Sequence, residues 1–187
     1  MSCFYFCFFL LIFVFKVLGS SMPTWYGGWN NTVSYKNFDL NVFFRFSGGN
    51  KIMNASRQSA LFNMDFSNNG TEILGRWISP EQPGDGMTPK IGYGDASSLF
   101  NDGYTDSHFV ESGNYLKLST LALGYTLPKA VVSKLNMTKI RFYVQGQNLL
   151  TITGYSGLDP ETNSRLGVDW NGMPQQRSFT FGANITF

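Results

Sequence analysis

The last stretch of the chain, SFTFGANITF from Ser178 to Phe187, restricts the fold more than any other. Phe179, Phe181, Ala183, Ile185 and Phe187 alternate with Ser178, Thr180, Gly182, Asn184 and Thr186. Successive side chains of a β-strand point to opposite faces, so the stretch reads as a strand with one apolar and one small, polar face. Two architectures accept such a strand. In a soluble sandwich the apolar face meets a second sheet. In a membrane barrel it meets lipid, and the polar face lines the lumen.

Four other segments share this character. Trp25 to Tyr35 (WYGGWNNTVSY) is aromatic and β-prone, with Gly27-Gly28 allowing a bulge or close packing. After a polar turn at Tyr35-Lys36-Asn37 comes Phe38 to Phe46 (FDLNVFFRF), which sets Phe38, Leu40, Val42, Phe44 and Phe46 against Asp39, Asn41 and Arg45. Phe43 is the only apolar residue on the polar side, and the two segments read as a hairpin. In Tyr115 to Leu127, Leu116 and Leu118 alternate in one phase and Leu121, Leu123, Tyr125 and Leu127 in the other, so a bulge is expected near Ser119-Thr120. Lys139 to Thr151 sets Ile140, Phe142, Val144 and Leu150 against Arg141, Tyr143, Gln145 and Gln147.

The connections between these segments alternate in length. Tyr35 to Asn37 is short, Ser47 to Asn114 is long, Pro128 to Met137 is short with one or two helical turns, and Ile152 to Gln176 is long. In an up-and-down meander, alternate connections share a rim. Short periplasmic turns and long outer loops are the asymmetry of an outer-membrane barrel, and parity places the end of the chain at the periplasmic rim. Composition agrees. With 18 Phe, 9 Tyr, 4 Trp and 20 Gly, the chain is only 14% charged, against roughly 25% for soluble domains. A mean hydropathy of −0.11 argues against several helical spans, and alternation is how a barrel keeps its hydropathy moderate. The net charge of +2, without a basic cluster, gives no reason to expect a nucleic-acid partner.

The amino terminus is of a different kind. Phe4 to Phe15 is an unbroken apolar run closed by Lys16, too short for a membrane-spanning helix of about 20 residues. Residues 1–17 read either as a signal-like leader, with Val17-Leu18-Gly19 as a cleavage site, or as a foreign start joined to the segment 18–187. Cys7 lies inside this run and Cys3 directly before it, both as small apolar residues.

Several stretches closely resemble the C-terminal end of the SusC/RagA-type, TonB-linked outer-membrane proteins of Bacteroidetes. They are GSSMPTWYGGWNNTVSYKNFDLNVFF (Gly19 to Phe44), GRWISPEQPGDGMTPKI (Gly75 to Ile91), ESGNYLKLSTLALGYTLPK (Glu111 to Lys129), IRFYVQGQNLLTITGYSGLDPE (Ile140 to Glu161) and PQQRSFTFGANITF (Pro174 to Phe187). They occur in order, and the resemblance extends from about Leu18 onward. It implies an all-β chain: an antiparallel meander of about five strands from the C-terminal end of a plugged transmembrane barrel of about 22 strands, with long extracellular loops. It implies import of oligosaccharides or peptides across the cell outer membrane, with a SusD-like surface lipoprotein as lid and TonB as the source of energy. The chain shows no TonB box and no plug, so it is expected to be a fragment that does not transport alone.

The candidate site residues follow from both readings. Asp39, Asn41, Arg45, Arg141, Tyr143, Gln145 and Gln147 are expected to face the lumen, since a basic side chain in mid-lipid costs roughly 2–4 kcal/mol. The loop aromatics Trp77, Tyr93, Phe100, Tyr104 and Trp170 are candidates for ligand or lid contact, because aromatic faces stack on sugar rings and loops carry function. Phe187 resembles the terminal aromatic of outer-membrane proteins that is read by the barrel-assembly machinery. Asp85, Asp95, Asp102 and Asp106 lack calcium-loop spacing and read as solvated loop. Asp159-Pro160-Glu161 reads as a turn. His108, the only histidine, has no triad around it and cannot make a zinc site alone, so no catalytic residue, metal or cofactor is expected. The rival readings are a secreted carbohydrate-binding β-sandwich and a surface adhesin built on barrel strands.

Overall fold

The computed structural model describes residues 16–62, 68–88, 90, 107–161 and 167–187. Cys3, Cys7, Tyr93, Asp95, Phe100, Asp102, Tyr104 and Asp106 fall outside them. The chain forms β1 (Trp25–Tyr35), β2 (Phe38–Gly48), β3 (Lys51–Asn54), α1 (Ala55–Phe62), β4 (Val110–Ser112), β5 (Tyr115–Thr126), α2 (Lys129–Val132), β6 (Lys139–Thr153), β7 (Val168–Asp169) and β8 (Ser178–Thr186). Five strands make one sheet in the order β1-β2-β5-β6-β8, and each neighbouring pair is antiparallel. The alternating segments of the sequence are therefore these five strands.

Local chemistry sets the register. Tyr35 pairs with Phe38, so the first hairpin turns on Lys36-Asn37, with Lys36 at a φ of 54°. Gly27 and Gly28 serve close packing rather than a bulge. A Cβ on Gly27 would lie 2.8 Å from the Phe46 ring, and one on Gly28 would lie 2.9 Å from that of Phe43. This explains how Phe43 is accommodated on the polar side. The bulge expected in β5 is present: Phe43 pairs with Thr120 and Phe44 with Leu118, so Ser119 is skipped. That slip brings Leu116 and Leu118 onto the same face as Leu121, Leu123 and Tyr125. On β6, Asn148 at a φ of 53° lies in the matching irregularity between Gln147 and Leu150. Between β5 and β6, Pro128 leads into α2 and a 3-10 turn over Ser133–Leu135, which ends at Asn136 in the left-handed region.

One face of this sheet is bare. Trp29, Val33, Phe38, Leu123, Phe142, Leu150, Phe179, Phe181 and Ile185 are all exposed, and register places them on a single face. Burying one such side chain is worth roughly 1.5–3 kcal/mol. Summed over the face this matches or exceeds the 5–15 kcal/mol or so of net stability typical of a folded domain. The face is thus built for an apolar surrounding.

The long connections are not featureless. β3 pairs antiparallel with β4 and parallel with β7, joining the first long connection to the second. Asn54 caps α1 by accepting a hydrogen bond from the Arg57 amide at 2.9 Å. Ile52, Ala55, Phe109 and Tyr155 are buried here, whereas the other buried apolar side chains among the described residues are those of Val132, Ile140 and Pro160. This second unit is a cap with its own small core.

Candidate functional site

The polar face of the large sheet collects charge from three strands. Asp39 on β2 and Arg141 on β6 are separated by β5, yet they form a two-pronged ion pair, Nε to Oδ1 at 2.9 Å and Nη2 to Oδ2 at 2.5 Å. The pair can cross because β5 presents Gly124, where a Cβ would lie 2.5 Å from Asp39 Oδ1 and 2.6 Å from Arg141 Nε. The guanidinium also lies over the Tyr143 ring, 5.2 Å from its centre. Asn41 Nδ2 donates to Asn30 Oδ1 and Thr32 Oγ1, both at 2.9 Å, and Ser178 Oγ donates to Gln147 Oε1 at 3.4 Å. Gln145 stands in register between Ala122 and Thr180. The expected lumen-facing residues Asp39, Asn41, Arg45, Arg141, Tyr143, Gln145 and Gln147 thus share one face, opposite the bare apolar one.

Toward the long connections this face carries a buried charge cluster. Lys117 on β5 is 1% exposed and donates from Nζ to both carboxylate oxygens of Asp159 at 3.1 Å, and also to Glu161. Arg45 donates to Ser119 Oγ at 2.8 Å, Glu161 Oε2 at 3.2 Å and Gln175 Oε1 at 3.4 Å. Tyr115 donates its hydroxyl to Glu161 at 2.7 Å, and the Gln175 amide donates to Asp159 at 3.4 Å. Two cations therefore face two carboxylates, so that mutual attraction and hydrogen bonding offset the cost of taking Lys117 and Asp159 out of water. The cluster clasps both ends of the second long connection onto the sheet. Asp159 does form the expected turn, accepting the Glu161 amide at 3.0 Å, but it also anchors Lys117. Strand parity puts Lys117 beside Arg45, and GLDPE announces an acidic turn. Nothing in the sequence pairs the two, because they lie 42 residues apart.

The cap encloses a groove of about 490 Å³ lined by Asn54, Ser56, Arg57, Glu72, Ser156, Leu158, Asp169 and Asn171. Arg57 pairs with Glu72 and with Glu111 at 3.2 Å, and lies 3.2 Å from His108 Nε2. The hydrogen bond from Arg57 holds the Glu72 carboxyl below its ordinary range. Burial, followed by the 2.5 Å hydrogen bond to Asp169, pushes the Tyr155 hydroxyl up. The Asn171 and Gly172 amides also donate to Asp169, at 2.9 and 3.3 Å. The segment before and after Trp170 is thereby fixed, and Trp170 projects from it, 74% exposed. Trp77 sits on the other long connection, with Lys90 Nζ 5.8 Å from its ring centre. Phe187 follows β8 and is exposed. Asp85 folds its own loop by accepting hydrogen bonds from Met87 and Thr88 at 2.7–2.8 Å. Among the described residues no cluster of three or more His, Cys, Asp and Glu is placed to hold a metal.

No protein-family model matches the chain. TonB-dependent receptor P3 of Formosa agariphila is 32% identical over 92% of this chain, and SusC of Bacteroides thetaiotaomicron, also a TonB-dependent receptor, is 26% identical over 86%. A solved structure of the RagAB peptide transporter superposes with a TM-score of 0.78 over 91% of the chain at 26% identity. The chain spans 17% of the length of the first relative, 15% of the second and 18% of the RagAB chain. An antiparallel five-stranded meander with a bare apolar face and a charged opposite face, matched along about nine-tenths of its length by these proteins, makes this chain a member of the SusC/RagA family of TonB-dependent receptors.

Proposed function

We propose that the chain forms one section of the wall of an outer-membrane importer. The observation that carries this reading is the division of the sheet: large apolar side chains fill one face, and among the described residues every ion pair made by the five strands lies on the other. The apolar face meets lipid and the polar face lines a lumen. The long connections, with Trp77 and Trp170, lie on the extracellular side, and the short turns lie at the periplasmic rim. In a closed barrel of about 22 strands this segment supplies five. The activity is transport rather than catalysis. The cargo is an oligosaccharide or peptide, handed over by a SusD-like lipoprotein and driven by TonB acting on parts of the receptor outside this segment. The RagAB relative is a peptide transporter, and that supports the peptide branch of this reading. Phe187 is the residue we assign to recognition by the barrel-assembly machinery.

A sandwich would cover the apolar face with a second sheet. The second sheet present, β4-β3-β7, belongs to the cap and leaves that face exposed. The test is detergent dependence. The purified chain is expected to stay dispersed only in detergent and to float with liposomes. A monodisperse monomer in plain buffer overturns the reading.

A further inference from the structure

Every aspartate and glutamate of the chain except Asp39 falls between residues 47 and 114 or between 152 and 176, in the two long connections. The two short connections carry the opposite charge. Lys36 stands in the first, Lys129 and Lys134 stand in the second, and neither contains an acid. The Thr126 amide donates to the Asn37 carbonyl at 2.8 Å and the Leu127 amide to that of Ile140 at 2.9 Å, so both short connections lie at one end of the sheet. All three lysines are exposed, and none makes an ion pair among the described residues. Asp39 is already taken by Arg141. Lys139 has the parity of Arg141 and belongs to the polar face, so it stands apart from the three.

The same end carries a row of rings. Register puts Tyr35 opposite Phe38, Phe38 opposite Tyr125 and Tyr125 opposite Phe142, all on the bare apolar face. The Phe38 and Tyr125 ring centres lie 4.7 Å apart. Aromatic rows of this kind sit at the headgroup boundary of a bilayer. Lys36 is tied to the row: its Nζ lies 5.3 Å from the centre of the Tyr35 ring, so the ammonium leans toward the apolar side. We propose that this rim is a docking surface for the phosphate groups of anionic phospholipids, with Lys36, Lys129 and Lys134 as the cations that hold them. The inference rests on the barrel reading above. Headgroup phosphates stand just outside the aromatic boundary, at the height of the three lysines, whose long stems can follow the apolar surface while the ammonium reaches the phosphate. A zwitterionic headgroup brings its own cation to the rim, whereas an anionic one does not and is therefore preferred. At the other end of the sheet acids outnumber Lys and Arg and repel the same headgroups, so the preference belongs to one leaflet.

The test is the lipid selectivity of the full chain in bilayers. The chain is incorporated into phosphatidylcholine liposomes, and flotation confirms incorporation. Electron spin resonance then compares how much spin-labelled phosphatidylglycerol and how much spin-labelled phosphatidylcholine is slowed at the protein. Each lysine near an anionic surface favours it by about fivefold, and averaging over all the lipids around the sheet leaves an expected preference of about threefold. The preference should vanish in Lys36→Gln/Lys129→Gln/Lys134→Gln and weaken at high salt. It should persist in Lys51→Gln/Arg76→Gln/Lys90→Gln, which removes the same charge from the first long connection. Equal association of the two lipids with the parent, a preference retained without the three rim lysines, or equal loss in both variants overturns the inference. Displacement of phosphatidylglycerol by millimolar inorganic phosphate at constant ionic strength would mark a site for free anions and also overturns it. A chain that does not incorporate defeats the barrel reading itself. A chain that floats with the liposomes but treats both lipids alike defeats only the headgroup rim.

Discussion

The meander and the cap are packed by opposite rules. In the meander, aromatic and aliphatic side chains point outward into nothing, and the buried groups include Lys117 and Ser119. In the cap, Ile52, Ala55 and Phe109 are inside, while Arg57 and Glu72 remain partly exposed. The cap follows the ordinary logic of a protein in water. The meander follows it only if its outer solvent is hydrocarbon. One chain therefore reports two surroundings, and the boundary between them runs through Lys117, Asp159 and Glu161, where the cap is fastened to the wall.

The largest effect is expected at that fastening. Lys117→Met leaves Asp159 and Glu161 short of a buried cation and should cost about 3–5 kcal/mol. Denaturant melts of the chain in detergent, together with faster proteolysis within residues 155–177, check it. Adding Asp159→Asn should recover part of the loss, whereas additive losses would mean the two groups do not interact. A comparable cost, about 3–5 kcal/mol, is expected for Phe109→Ala in the cap core. Phe181→Ala, at a position 79% exposed, should change stability in detergent by only about 0.5 kcal/mol. Equal effects of the two alanines would erase the contrast between meander and cap. In lipid, Phe181→Arg should cost about 2–4 kcal/mol, while Thr180→Arg, one residue away on the other face, should be tolerated. Folding yields into liposomes measure both.

The smallest effect concerns acid. The folded-state pKa of Glu72 lies below its unfolded value because of Arg57, so the unfolded cap takes up a proton before the folded one does. The resulting stability is fully present above the unfolded value of about 4.3 and disappears as pH falls through the folded value. Glu72 is 34% exposed, so screening holds the contribution under about 1 kcal/mol. Thermal melts between pH 7 and pH 3 should show a flatter acid limb for Glu72→Gln than for the parent chain.

The five strands were legible because an apolar face and a polar face impose a strict two-residue period, which a sequence displays directly. Even the bulge at Ser119 showed as a break in phase. Its purpose did not show: the skipped serine accepts a hydrogen bond from Arg45. The cap was hidden for a physical reason. β3 and β7 are four and two residues long, too short for any period, and they exist because β3 finds partners far along the chain on both sides. The clasp was half visible. Asp159-Pro160-Glu161 reads as an acidic turn in the sequence, but nothing there marks Lys117, and only the folded chain makes the two a pair. The sequence marks Trp170 as a loop aromatic suited to ligand or lid contact. That it is mounted on a segment fixed by Asp169 and Tyr155 could be seen only in three dimensions.

The most direct test of the inside-out meander is a spin-label scan of β8. With Cys3 and Cys7 replaced by serine, single cysteines at each position from Ser178 to Thr186 carry a nitroxide, and the protein is folded into liposomes. Accessibility to oxygen, which concentrates in lipid, should peak at positions 179, 181, 183 and 185. Accessibility to a water-soluble nickel chelate should peak at the positions between them. A flat profile, or nickel access at Phe179 and Phe181, would contradict the assignment of this face to lipid.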